Sequence, residues 1–288
     1  MTIYHYTKAD TLLLILANRT IRFTRADLVD DASEVPFRTE YLDDRKFFIS
    51  SWSLRTYGEA GMWARYGDAD KGVRISLPSL RFPWSPLRID VSREIGKLKE
   101  GGSPRKIGIR VKDLVTPYDQ ETFFGNGYIA VPMGTDLTTS FGSPVIYTDN
   151  PSAEVRRKVT LTEEGFGFRG DATYVARVKG KGWADQAEYR YVLSAFKGPQ
   201  LDYRADPSGY ENALLNQIEE GISNKFSDFF PTVRYIDLPL ASNAFEGLIV
   251  TFGSSMPKEK RDVLKQRVKD LAPAAVFEEC TLNVRMRS

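Results

Sequence analysis

Apolar and polar positions alternate over Ile3–Tyr6, Ile21–Thr24 and Glu188–Leu193, and the period of two predicts strands there. Phe47–Trp52 reads as a further strand ending among Ser50, Ser51 and Ser53, and Gly72–Leu77 as another. Thr7-Lys8-Ala9-Asp10 has the form of a capping box ahead of the helix marked by Leu12, Leu13, Ile15 and Leu16. A second short helix is expected over Glu59–Tyr66, ended by Gly67. The chain therefore opens with strands alternating with short helices. Further along, Val145–Tyr147 and Tyr174–Val178 read as strands, Glu211–Ser223 and Pro257–Leu271 as helices, and Val233–Leu238, Leu248–Phe252 and Val276–Asn283 as closing strands. Between Pro83 and Pro144 the apolar runs are short, as in Leu87–Val91 and Ile107–Val111, among many Pro, Gly and Ser. That segment is expected to be an insertion, at about 83–144, with order hard to assign. No repeat and no clear linker interrupts the rest, so one elaborated α+β domain over 1–288 is the expectation.

Composition narrows the chemistry. With 288 residues, 42% of them hydrophobic, the chain can bury a sizeable core. The 40 Lys+Arg nearly cancel the 38 Asp+Glu, so no strong global field draws it to nucleic acid or to a membrane surface. One cysteine, Cys280, and one histidine, His5, cannot assemble a zinc site of those ligands, and no internal disulfide can form. A reducing cytoplasm fits, and no metal is expected. The apolar run Leu12–Ala17 is far shorter than a bilayer span, so no membrane partner is expected. A P-loop, a dinucleotide fingerprint and a Gly-x-Ser-x-Gly elbow are all missing from the sequence.

Three groups remain as candidate sites. His5 stands between Tyr4 and Tyr6 on what reads as an edge-like first strand. Gln186 and Glu188 share one face of a strand, because side chains alternate with period two, with Arg190 on the same face as an ion-pair partner. Trp63 and Tyr66, three apart, share a helical face behind Ser51-Trp52-Ser53. Each group alone is equally compatible with a structural role.

Their order is more specific. Tyr4-His5-Tyr6-Thr7, then Phe48–Ser53, Met62–Gly67 with Lys71-Gly72-Val73, Trp183–Arg190, and finally Leu238-Pro239, Gly247–Val250 and Phe252-Gly253 together resemble a bacterial family known as domain of unknown function 2971. That family is distantly similar to the ADP-ribosyltransferases of His-Tyr-Glu type. The resemblance implies a split mixed sheet around an NAD cleft, flanked by helices, and NAD as the substrate. It implies that His5 anchors the ribose of NAD, Tyr66 stacks on nicotinamide, and Glu188 binds the nicotinamide-ribose hydroxyl, with Gln186 as the second catalytic residue. Tyr6, Thr7, Ser51 and Trp63 are expected to line the same cofactor site. The implied activity is mono-ADP-ribosylation of RNA, DNA or protein, of the toxin or phage-defence kind, with an antitoxin or other partner protein. An NAD glycohydrolase and an inactive nucleotide- or nucleic-acid-binding module of the same fold are the alternatives. Basic clusters at Arg156-Arg157-Lys158, Lys179 with Lys181, and Arg105-Lys106 with Arg110 and Lys112 suit phosphate contacts or form solvated faces. Asp30-Asp31-Ala32-Ser33-Glu34 stands where the family carries Asn-Asp-Pro-x-Glu, which leaves the roles of Asp31 and Glu34 open.

Overall fold

A computed structural model describes residues 1–39, 42–56, 60–97, 104–134, 136–162, 165–223, 226 and 228–282. In chain order the elements are β1 (Ile3–Thr7), α1 (Ala9–Asn18), β2 (Thr20–Arg25), β3 (Phe47–Ser53), α2 (Ala60–Tyr66), β4 (Val73–Leu77), β5 (Ser85–Lys97) and β6 (Pro104–Thr116). There follow α3 (Gln120–Phe123), β7 (Tyr128–Ala130), α4 (Leu137–Ser140), β8 (Gly142–Pro144), β9 (Ile146–Thr148), α5 (Pro151–Arg156), β10 (Val159–Thr162), β11 (Gly165–Phe168), β12 (Val178–Gly180) and β13 (Glu188–Lys197). The chain closes with α6 (Pro207–Ser223), β14 (Tyr235–Pro239), β15 (Ile249–Phe252), α7 (Lys258–Leu271) and β16 (Val276–Glu279). This is an α+β architecture on a mixed, mostly antiparallel sheet, and among the described residues no helix is long and apolar enough to cross a membrane.

The main sheet runs β14-β2-β3-β1-β4-β15-β16, with β13 paired to β3, β7 and β8. Its feature of consequence is a fork. β13 zips along β3 over seven residue pairs, from Glu188 opposite Ser53 to Ser194 opposite Phe47. The other edge of β3 is shared: β1 touches it only at Tyr4 opposite Ser53, and β2 only at Thr24 and Arg25, opposite Ile49 and Phe48. β1 and β2 therefore diverge from the two ends of β3, and Ser50-Ser51-Trp52 ladders on the β13 side alone.

Pleat parity sorts the side chains. Phe48 and Trp52 of β3 and Leu193 of β13 enter the large core with Ile3, Ile75, Phe23 and Val250. On the opposite face, Phe47, Ile49 and Val192 pack with Val155, Val175 and Val178 in a smaller core. The first part of the region expected to resist assignment is a long antiparallel pair, β5–β6, followed by α3, β7, α4 and β8, and the pair's Leu87, Ile89, Val91 and Ile107 join the large core alongside Tyr210 and Leu214 of α6. The short apolar runs were the inward faces of two paired strands.

Four expectations are corrected. β1 is no edge strand, since it lies between β3 and β4. Thr7 does not cap α1: it pairs with Val73 in the β1–β4 ladder, and the helix begins behind Lys8 without a side-chain cap. Tyr174–Arg177 is 3-10 helix, because the Asp171 carboxylate accepts from the Thr173 amide and caps a turn there, leaving only Val178–Gly180 as strand. Gln186 is not on the strand of Glu188: it ends a 3-10 turn, and Ala187 at φ 43° breaks the period of two. Glu59 and Asn283 lie outside the described residues.

Candidate active site

The fork holds a cavity of about 600 Å³, within the usual range of small-molecule sites, roughly 300–1,000 Å³. Its wall includes Tyr4, His5 and Tyr6 of β1, Ile15 of α1, Ser50–Ser53 of β3, Tyr66 of α2, and Lys179, Gln186, Glu188 and Arg190. Of the residues expected to bind a cofactor, His5, Tyr6, Ser51 and Tyr66 line it. Trp63 does not: it is buried with Tyr6 and Met62, its ring edge-on to Tyr6 at 5.1 Å, and forms the support behind the wall. Thr7 is buried in the sheet next to β4.

By register His5 lies opposite Ile75 and Glu188 opposite Ser53, while Tyr4 faces both Ser53 and Ser76. His5 and Glu188 thus belong to opposite faces of the sheet, and they line one cavity because the sheet is open between β1 and β3. The imidazole reaches across that opening, with Nδ1 at 3.1 Å from the Ser51 carbonyl, and its ring lies 5.0 Å from that of Trp52. A carbonyl only accepts, so Nδ1 carries the proton and Nε2 is an acceptor. Burial lowers the His5 pKa below its ordinary 6.5, only partly offset by the Ser51 bond, which keeps that acceptor neutral.

Glu188 belongs to a closed ring of alternating charges. Its Oε1 accepts from Lys179 Nζ at 2.8 Å and its Oε2 from Arg190 Nε at 2.8 Å. The Arg190 terminal nitrogens clasp Glu34 at 2.5 and 2.9 Å, and Lys179 Nζ returns to Glu34 at 3.3 Å. All four are deeply buried, with Glu34 3%, Lys179 4%, Glu188 5% and Arg190 1% exposed. Two carboxylates and two cations sum to zero, the condition under which such burial is tolerable. Burial raises the Glu188 pKa, but Arg190 and Lys179 outweigh it and hold the group below its usual range. Burial pulls Arg190 down and its two carboxylates more than reverse this, so it stays charged.

The Gln186 amide orients by its neighbours. Its nitrogen donates to Glu188 Oε1 at 2.6 Å, and its oxygen accepts from Tyr66 Oη at 3.0 Å and Arg65 at 3.2 Å, whereas the reverse would press two acceptor oxygens together. Arg65 also pairs with Asp185 at 2.5 Å, tying α2 to the turn before β13. Burial, then the neighbouring Asp30 carboxylate, pushes the Tyr66 phenol up to about 12, so it remains a neutral hydroxyl. The Glu188 amide donates to Tyr147 Oη at 2.8 Å, which fixes the start of β13.

Glu34, Lys179, Asp30 and Tyr147 were not assigned to the site from sequence. Glu34 is 156 positions from the arginine it binds, a distance no spacing rule spans. Lys179 was grouped with Lys181 as a phosphate contact or a solvated face, yet it sits inside, over the Trp183 ring at 4.6 Å. Of the other basic residues, four form surface ion pairs: Arg157 with Glu154 at 3.3 Å, Lys181 with Asp149 at 2.6 Å, Lys106 with Glu94 at 3.7 Å and Arg110 with Asp90 at 3.1 Å. Among the described residues no group of three or more His, Cys, Asp or Glu is placed to hold a metal ion.

No protein-family model matches the chain, and no curated protein and no solved structure matches it either.

Proposed function

We propose that this protein is an NAD-dependent mono-ADP-ribosyltransferase with an ADP-ribosyltransferase-like split sheet. The observation that carries the reading is the meeting of His5, Tyr66 and Glu188 in one cavity at a fork in the sheet, from elements far apart in sequence. The donor set suits NAD: an imidazole nitrogen that accepts from a ribose hydroxyl, a neutral aromatic wall for nicotinamide, and a carboxylate for the second ribose.

In the reaction the bond from ribose C1′ to the nicotinamide nitrogen breaks, and nicotinamide leaves with the electron pair. The acceptor's nucleophile forms the new bond to C1′ and releases its proton. Positive charge develops on the ribose in between, and a preorganised carboxylate stabilises it. Three of the roughly four lone-pair positions of Glu188 are filled by Lys179, Arg190 and Gln186, leaving one on Oε2 for a substrate hydroxyl. The ring of compensating charges keeps Glu188 ionised and fixes its direction.

The test is incubation with NAD labelled on its adenylate side, with protein, RNA and DNA supplied separately, following both free nicotinamide and transferred label. Nicotinamide release with label on one of the three acceptors is the expected result. Release without transfer would make the protein a glycohydrolase, and no release under any condition would overturn both enzymatic readings.

A further inference from the structure

We infer that Glu34 is a positioning residue: it occupies the fork of Arg190 so that this arginine offers Glu188 a single Nε–H and leaves the second Oε2 lone pair open to substrate. The consequence for turnover rests on the NAD reading above; the geometry does not.

A guanidinium presents its donors in a planar fork that matches a carboxylate two bonds at a time, and a bidentate pair is preferred wherever it can form. In this site the fork is turned away from the strand that bears Glu188. Both terminal nitrogens of Arg190 bind Glu34, and one of them also donates to the Ala176 carbonyl at 2.7 Å. Only Nε, on the side of the group, reaches Glu188. Lys179 bridges the same two carboxylates from the other side, closing the ring. Glu34 thus decides which edge of Arg190 faces the site. Removing its charge frees the fork to turn onto Glu188, where a second N–H would fill the remaining acceptor position. It also leaves two cations against one carboxylate. The acidic segment after β2, whose role the sequence left open, thereby acquires a function: it reaches across the sheet to set the orientation of a carboxylate on β13.

Two arms test this. In the first, the arginine side-chain ¹⁵N spectrum is recorded for the parent and Glu34→Gln, with Arg190 assigned by the loss of its signal in Arg190→Gln. The parent should show Arg190 terminal N–H signals in slow rotational exchange, and Glu34→Gln should average or shift them; an unchanged Arg190 signal overturns the inference whatever the turnover. Should Glu34→Gln fail to fold, Glu34→Asp, whose shorter carboxylate cannot span both cations, takes its place. In the second arm, Glu34→Gln should lower kcat for nicotinamide release about 10- to 100-fold, the range typical of groups that orient a reacting residue, with a smaller change in KM. The double variant Glu34→Gln/Arg190→Gln restores charge balance, with Lys179 still paired to Glu188. It also removes the fork that would block Oε2, so it should recover thermal stability and regain part of the turnover lost in Glu34→Gln; a double variant no more active than Glu34→Gln would overturn the account in which the freed fork fills the Glu188 acceptor position. A parent that releases no nicotinamide overturns the NAD reading, and the spectral arm still decides the role of Glu34.

Discussion

Replacing Glu188 by alanine perturbs stability as well as turnover, and the ring of charges gives the size of the effect. The substitution removes the acceptor of Lys179, Arg190 Nε and Gln186 together, and leaves Lys179 and Arg190 facing Glu34 alone. Were these groups on the surface, the loss would be about 0–1 kcal/mol. Arg190 and Lys179 are 1% and 4% exposed, and water entering from the cavity compensates only part of the lost carboxylate, so breaking such a buried arrangement costs up to about 3–5 kcal/mol. A domain holds only about 5–15 kcal/mol in total, so the fold survives with a much reduced margin. Glu188→Gln keeps the shape and one acceptor oxygen while losing the charge, and should cost less stability yet lower nicotinamide release by about 10²–10³-fold. The assay is urea unfolding followed by tryptophan fluorescence, for which buried Trp52 and Trp63 are natural reporters, with stability extrapolated at unchanged denaturant slope. A Glu188→Ala loss below about 1 kcal/mol would refute the claim that these four groups form one desolvated, coupled unit.

His5 makes stability depend on pH with a definite sign. An unfolded histidine takes up a proton near pH 6.5, whereas the buried imidazole resists to lower pH, so the native state binds fewer protons in that window. Stability should be full above about pH 6.5 and fall on acidification towards the lowered folded pKa, by up to about 1.4 kcal/mol per pH unit, and His5→Gln should flatten the difference between unfolding midpoints at pH 7 and pH 5.5. Equal slopes in parent and variant would remove His5 from this role. Gly253→Ala should destabilise by about 1–3 kcal/mol, because its Cβ would sit 2.3 Å from the Asp70 carbonyl oxygen, backbone that cannot swing aside; an unshifted urea midpoint would show that the turn yields. That turn matters to the site because Asp68, Ala69 and Asp70 follow Tyr66 with φ of 52°, 50° and 66°, held by the Asp70 carboxylate on the Ser254 amide at 3.1 Å.

Where structure depends on neighbours a few residues apart, the sequence was legible. The alternation of Ile21–Thr24 and the apolar spacing of Leu12, Leu13 and Leu16 located β2 and α1, and the Glu188–Arg190 pair followed from the period of two. Local signals also misled. Tyr174–Arg177 has the residue types of a strand, but the Asp171 carboxylate caps a turn there and the segment is 3-10 helix. The apolar runs of the 83–144 region are too short to announce a strand singly, and became a long antiparallel ladder only through pairing with each other and packing on α6. The site itself was divided in the same way. Residue types at His5, Tyr66 and Glu188 could be read from the chain. That they share a cavity could not, because the fork exists only through the partners β3 takes at its two ends. Nor could the ring that holds Glu188, since a buried charge chooses its counter-charge by proximity in the folded state, and Glu34 and Arg190 become neighbours only once the sheet has formed.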